Sequence, residues 1–174
     1  MNVIRLAELR HGALSVDEAL NAVRDPSAGG IALFTGMVRD HDQGRGVVRL
    51  TYSAHPSAVA ELRQVAEKVA ATFDVRALAA VHRLGELDVG ELAVVVAVSC
   101  AHRGEAFAAC RALVDELKAA VPIWKHQEFG DRGRMRAIGE PHHSPALVVI
   151  PDHAGEQGNA PSGGVPDGIQ RLVN

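Results

Sequence analysis

Leu92-Ala93-Val94-Val95-Val96-Ala97-Val98-Ser99 carries no polar alternation. A short run this apolar reads as a strand covered on both faces, at the centre of a sheet. The rest of the chain is placed around it. Upstream, Leu78 to Leu84 reads as another strand, and the turn between the two contains Gly85 and Gly90. Downstream, Glu105 to Ala120 reads as a helix, with Phe107, Cys110, Leu113, Val114 and Leu117 as its buried stripe. Arg111, Asp115 and Lys118 fall side by side on a neighbouring face. Pro122 stops this helix.

Nearer the N-terminus, Ser15-Val16-Asp17-Glu18 is a capping box, and Val16, Ala19, Leu20 and Val23 give a short amphipathic helix. Asp25-Pro26-Ser27-Ala28-Gly29-Gly30 breaks it. Ile31 to Val38 and Val47 to Ser53 read as strands separated by a polar loop, and are expected to pair as a hairpin. Pro56 opens a helix with Val59, Leu62, Val65, Ala66, Val69 and Phe73 at helical spacing. The order is helix, two strands, helix, two strands, helix. It predicts an α+β sandwich of a mixed or antiparallel sheet under helices. A doubly wound parallel sheet is disfavoured, because each of its strands needs a crossover helix.

With 174 residues the chain fits one domain, read as residues 1–140, followed by a flexible tail over 141–174. Beyond Pro141 the composition shifts to Gly, Pro, His, Ser and Asn, interrupted by an apolar island from Ala146 to Ile150. A net charge of -3 argues against a general nucleic-acid binder. No apolar run approaches a membrane span, and Met1-Asn2-Val3-Ile4-Arg5 lacks the features of a signal peptide. The expected location is the cytoplasm, where Cys100 and Cys110 stay reduced.

The chain has three lysines against fifteen arginines. Lys118 and Lys125 lie seven residues apart, and the only tryptophan, Trp124, adjoins the second. Unlike arginine, lysine loses its proton when partly desolvated and can then act as nucleophile or general base. A solvated helix face accounts for the same pattern. Ser99-Cys100-Ala101-His102-Arg103-Gly104 joins strand to helix, where backbone N–H groups favour anions. His102 and Arg103 add donors, although a capping histidine and a solvated arginine fit equally well. Within Phe34-Thr35-Gly36-Met37-Val38-Arg39-Asp40-His41, Arg39 ends a strand and opens a glycine-containing loop, although a surface arginine at a strand end accounts for the same pattern. Arg132-Gly133-Arg134-Met135-Arg136 is a short basic patch that reads as an anion site or a solvated loop.

Cys100 and His102 suggest a nucleophile pair, but no third orienting group is evident. The nine histidines include no HxxxH or HExxH spacing, and the reading requires no metal and no cofactor. Phosphate-loop and dinucleotide glycine motifs do not occur.

Taken in order, several segments between about Gly29 and Arg136 resemble one family. They are Gly30 to His41; Val81-His82-Arg83-Leu84-Gly85-Glu86-Leu87; Val89-Gly90-Glu91; Ser99 to Arg103; Asp115-Glu116-Leu117-Lys118; and Val121-Pro122-Ile123-Trp124-Lys125. The family is the large, catalytic subunit of molybdopterin synthase (MoaE). The resemblance implies an α/β hammerhead-like fold with an added β region. It implies sulfur transfer to cyclic pyranopterin monophosphate, giving the dithiolene of molybdopterin. Each sulfur would arrive as a thiocarboxylate on the Gly-Gly terminus of a small ubiquitin-like subunit. Two large subunits would form a central homodimer within a heterotetramer.

Residue by residue, the resemblance makes Lys118 and Lys125 the catalytic lysines, with Lys118 next to the incoming thiocarboxylate. It makes Arg39, His102 and Arg103 lining of the anionic pterin pocket, Phe34 a wall position, and Arg134 a further substrate-binding residue. Met135 departs from the family, which often has tryptophan there, and Arg136 is a candidate for an arginine reaching a neighbouring subunit's pocket. Two other readings stand beside this one: a non-catalytic paralogue that docks a ubiquitin-like carrier, and a cysteine-dependent enzyme using Cys100 and His102.

Overall fold

A computed structural model of the protein describes residues 2–42, 44–130 and, as backbone, 169–171. The elements in chain order are β1 (Ile4–Arg10), α1 (Val16–Ala22), β2 (Gly30–Met37), β3 (His41–Asp42), β4 (Arg45–Ala54), α2 (Ala58–Thr72), β5 (Val75–Arg83), β6 (Gly85–Asp88), β7 (Leu92–Cys100), α3 (Arg103–Ala120), β8 (Ile123–Gly130) and β9 (Ile169–Arg171). The fold is α+β, with two sheets and three helices among the described residues.

The first sheet has the order β1-β5-β7-β2. Only β1 and β5 run parallel; β5 with β7 and β7 with β2 are antiparallel. The apolar run of β7 is therefore internal, as its composition predicts. Alternation sends its two sets of side chains to different cores. Ala77 and Ala79 of β5, with Val95 and Ala97 of β7, pack with Ala19 and Val23 near α1. Leu78, Ala80, Val96 and Val98 enter the larger core with α2 and α3. Two apolar faces on one strand leave no solvent side, which is why polar alternation is missing.

The second sheet has the order β3-β4-β8-β9, with β6 also paired to β4. The expected hairpin of Ile31–Val38 with Val47–Ser53 does not form. β2 pairs along its length with β7, whereas β4 pairs with β8 and β6. The apolar edge of β7 is the better partner for β2, and bonds between Val38 and the Gly90–Glu91 backbone extend that ladder. The polar loop then carries the chain from one sheet to the other.

Two positions leave the expected helical stripes. Phe107 is 67% exposed, and the buried face of α3 is Ala106, Ala109, Cys110, Leu113 and Leu117. The small alanines on that face let α3 lie close on the sheet, and they put Phe107 one step around the helix. Val59 is likewise exposed, and α2 buries Ala58, Leu62, Val65, Ala66 and Val69. Half of the capping box forms: Glu18 N–H donates to Ser15 Oγ at 3.1 Å, but the Glu18 carboxylate takes two Arg10 guanidinium donors instead of reaching back to the cap.

The strands β1, β3, β6 and β8 go beyond the sequence expectation. β9 pairs with Trp124 to His126 of β8 and lies within the segment expected to be a tail. The basic patch around Arg132, Arg134 and Arg136 and the apolar island at 146–150 lie outside the described residues.

Candidate active site

The two lysines reach one place from two elements. Lys118 is in the last turn of α3, where the helix dipole favours a cation. The chain then turns at Val121 and Pro122 and enters β8, on which Lys125 is the third residue. Both line a cleft of about 420 Å³ between the sheets, together with Phe34 and Arg39.

The β4–β8 register builds one wall. Tyr52 faces Lys125 and Leu50 faces Gln127 across the ladder, so these four side chains share a face. All four line the cleft. From the other sheet, His82 of β5 supplies the floor. Its ring meets Tyr52 edge-on, with centroids 4.8 Å apart.

His82 is almost fully buried, and its Nδ1 lies 2.8 Å from the carbonyl oxygen of Arg83. A carbonyl only accepts, so Nδ1 carries the proton and donates. Burial pushes the His82 pKa down to about 4, against a smaller opposing effect of that hydrogen bond. At neutral pH the ring is uncharged, and Nε2 is an acceptor. Burial also raises the Tyr52 phenol to about 12, so it stays protonated.

Lys125 Nζ donates to Asp42 Oδ2 at 3.1 Å, with both side chains 17% exposed. Arg39 Nη2 approaches Asp42 Oδ1 at 3.4 Å from a much more exposed position. Burial alone would raise the Asp42 pKa, but the hydrogen bond and charge of Lys125, with the charge of Arg39, outweigh it and hold the carboxyl below its ordinary value. Lys118 has no hydrogen bond or ion pair among the described residues. Its amine is the freer of the two.

The Gly85–Glu91 connection supports the floor. Gly85 and Gly90 adopt φ of 87° and 89°, a region costly for residues with a Cβ. Arg83 Nη1 bonds Glu91 Oε1 at 2.8 Å, and Glu91 Oε2 accepts from the Asp88 N–H at 2.8 Å. The carboxylate thus ties the turn to the strand that carries His82.

His102 and Arg103 are not in this cleft. They stand exposed at the opposite end of α3, about 22 Å from Lys118 by helical rise. His102 occupies the N-cap position but makes no side-chain capping bond. Arg134 lies outside the described residues. Cys100 and Cys110 are buried, and burial raises both thiols, Cys110 to about 11. With Cys100 inside and His102 outside, no thiolate–imidazole pair is set up. Among the described residues no group of three or more His, Cys, Asp or Glu side chains is placed to hold a metal ion.

Sequence reasoning alone does not single out Asp42, Tyr52, His82 and Gln127. Gln127 follows only once β8 is known to be a strand, being two residues from Lys125 and hence on the same face. His82 enters the sequence reading only within the Val81–Leu87 segment of the family resemblance, with no role of its own.

A cleft lined by two lysines and an arginine, walled by a buried phenol and a neutral imidazole, suits an anionic ligand. The comparisons make the family specific. The "MoaE protein" family profile matches residues 9–120, and the chain belongs to that family. The molybdopterin synthase catalytic subunit 1 of Mycobacterium tuberculosis is 46% identical over 121 residues, covering 69% of this chain and 82% of that protein. The molybdopterin synthase catalytic subunit of Oryza sativa subsp. indica is 40% identical over 131 residues, covering 75% of this chain and 68% of that one. Among solved structures, molybdopterin synthase from Staphylococcus aureus superposes with a TM-score of 0.67 at 28% identity, covering 71% of this chain and 90% of that chain.

Proposed function

We propose that this chain is the catalytic subunit of a molybdopterin synthase. It transfers sulfur from the thiocarboxylated C-terminus of a small ubiquitin-like subunit to cyclic pyranopterin monophosphate. The observation that carries the reading is the convergence of Lys118 and Lys125, from a helix end and the following strand, in one cleft with Arg39 and Phe34.

In this reading the carrier's terminal glycine enters the cleft beside Lys118. The thiocarboxylate sulfur forms its bond to an oxygen-bearing pterin side-chain carbon, and the carbon–oxygen bond there breaks with the oxygen leaving protonated or as phosphate. The sulfur–acyl bond of the carrier then breaks to leave a thiolate on the pterin. The acyl carbon passes to water or to the Lys118 amine. Lys118 and Lys125 stabilise charge on the carbonyl oxygen and move protons at the pterin. Arg39 supplies a charge-assisted donor to the phosphate, and Phe34 supplies a wall.

His102 and Arg103 require a second chain in this scheme. The length of α3 keeps them from Lys118 of their own chain, so they reach a pterin anion only in the cleft of another copy. A homodimer at the centre of a heterotetramer provides that copy. We place the catalytic domain in residues 1–140, with 141–174 as a C-terminal tail from which β9 joins the second sheet, and the enzyme in the cytoplasm. No helix among the described residues is long and apolar enough to cross a membrane.

The deciding experiment mixes the chain with thiocarboxylated small subunit and cyclic pyranopterin monophosphate and assays dithiolene. Product that disappears with Lys118→Ala supports the reading; an unchanged rate sinks it. A non-catalytic docking paralogue would bind the carrier and yield no product.

A further inference from the structure

The Lys125–Asp42 pair lies within the cleft. Among the described residues lining it, Asp42 is the one acid, facing Lys118, Lys125 and Arg39. Asp42 Oδ2 accepts from Lys125 and Oδ1 faces Arg39. The amide nitrogen of buried Gln127 makes no hydrogen bond of full geometry, yet it lies near enough to favour the Asp42 charge. One carboxylate is thus ringed by donors from the β2–β3 connection and from β8. Convergent, charge-assisted donors are what a bound oxyanion receives. The Arg39 contact contributes little to stability, since it is long and solvent-screened.

We propose that Asp42 is an internal stand-in for the substrate's oxyanion. It holds the donors of Lys125 and Arg39 in place, and an incoming phosphate or carboxylate takes them over. The unpartnered N–H of Gln127 then gives Asp42 a replacement bond, so the displaced carboxylate is not left bare. Asp42 is a positioning residue that competes with the ligand. The cleft therefore binds oxyanions less tightly than its cations alone would allow, while its lysine stays aimed. That the oxyanion is a cyclic phosphate or a glycyl carboxylate rests on the sulfur-transfer reading; the exchange of donors does not.

The test is calorimetric titration of the full chain with inorganic phosphate and, separately, with a peptide ending in a Gly-Gly carboxylate. Asp42→Asn keeps the shape and removes the charge, and should bind about three- to ten-fold tighter. The titration that tightens identifies the oxyanion. Asp88→Asn removes the same charge from a surface pair with Arg49 and should change nothing. If Asp42→Asn does not fold, Asp42→Ser decides in the same series. In the reconstituted synthase, Asp42→Asn should lower KM for the pterin and lower kcat as well, because Lys125 loses the partner that aims it.

Equal, weaker or undetectable binding by the Asp42 variant in both titrations overturns the proposal, even where the wild type makes product. Equal tightening by Asp88→Asn overturns it too, as a net-charge effect. Tightened phosphate binding with no product from the wild type would instead sink the sulfur-transfer reading and leave the exchange standing.

Discussion

Tyr52 and Lys125 are cross-strand partners in the β4–β8 ladder, and the Tyr52 ring stands edge-on to His82 of the other sheet. The lysine is therefore placed by a contact between two sheets. Its backbone belongs to one sheet, and the side chains that wall it in belong to both. Disturbing the Tyr52–His82 contact should move the amine without touching it.

The lysines themselves should separate in effect. Lys118 is unpaired among the described residues and sits next to the proposed acyl carbon. Lys118→Ala should cost about 10²-fold or more in dithiolene formation, the scale of a lost acid–base or charge-stabilising group. Lys125→Arg keeps the charge and the reach to Asp42 but not a removable proton, so it should retain substrate binding while losing turnover. Steady-state kcat and KM on the reconstituted complex check both. A Lys125→Arg enzyme with full kcat would restrict Lys125 to electrostatics.

His82 predicts a pH dependence of stability. Its folded pKa of about 4 lies below the 6.5 of an unperturbed histidine. Above pH 6.5 both folded and unfolded states hold it neutral, and its full contribution is present. As pH falls from 6.5 towards 4, the unfolded chain takes up the proton first and stability is lost, by roughly 3 kcal/mol over the window. Urea denaturation at pH 7 and pH 5 should show this drop in the wild type and a smaller one in His82→Gln. Equal drops in the two proteins would show that His82 does not carry the effect.

Much of this fold is readable before any coordinates. The bare apolar run of β7 announces a two-faced core, and Ser15 with Glu18 announces α1. The partners of β2 and β4 are not readable, because alternation marks a strand but says nothing about which edge it joins. β1 and β8 mix charged and apolar residues at both phases and so hide as strands. Lys118, Lys125, Arg39 and Phe34 are recoverable from ordered motifs. The acceptors and donors between them are not: Asp42 looks like loop solubility, and Gln127 like an ordinary strand residue, until the register turns both inward.

Gly29 gives a packing prediction. A Cβ built there would lie 2.2 Å from the backbone oxygen of Ala101, and its own N–H donates to the Cys100 carbonyl at 3.0 Å. The obstacle is backbone, which cannot rotate away. Gly29→Ala should destabilise the fold by about 1–3 kcal/mol, the range for overpacking. Thermal or urea unfolding would show it, and an unchanged midpoint would mean the β2 entry moves freely.

Cysteine chemistry should be dispensable. Cys100→Ser buries a hydroxyl in an apolar site and should cost about 1–3 kcal/mol of stability. Turnover per folded molecule should stay near wild type. Loss of turnover in well-folded Cys100→Ser protein would revive the cysteine-dependent mechanism.

The length of α3 has a genetic consequence. On the proposed two-copy arrangement, the helix is shared property: its C-terminal lysine serves one reaction centre and its N-terminal His102–Arg103 pair serves the other. Lys118→Ala and Arg103→Ala should each silence a pure population. Co-expressed, they should form mixed pairs in which one cleft takes Lys118 from one chain and Arg103 from the other, so two dead alleles restore up to half of the sites in each mixed pair.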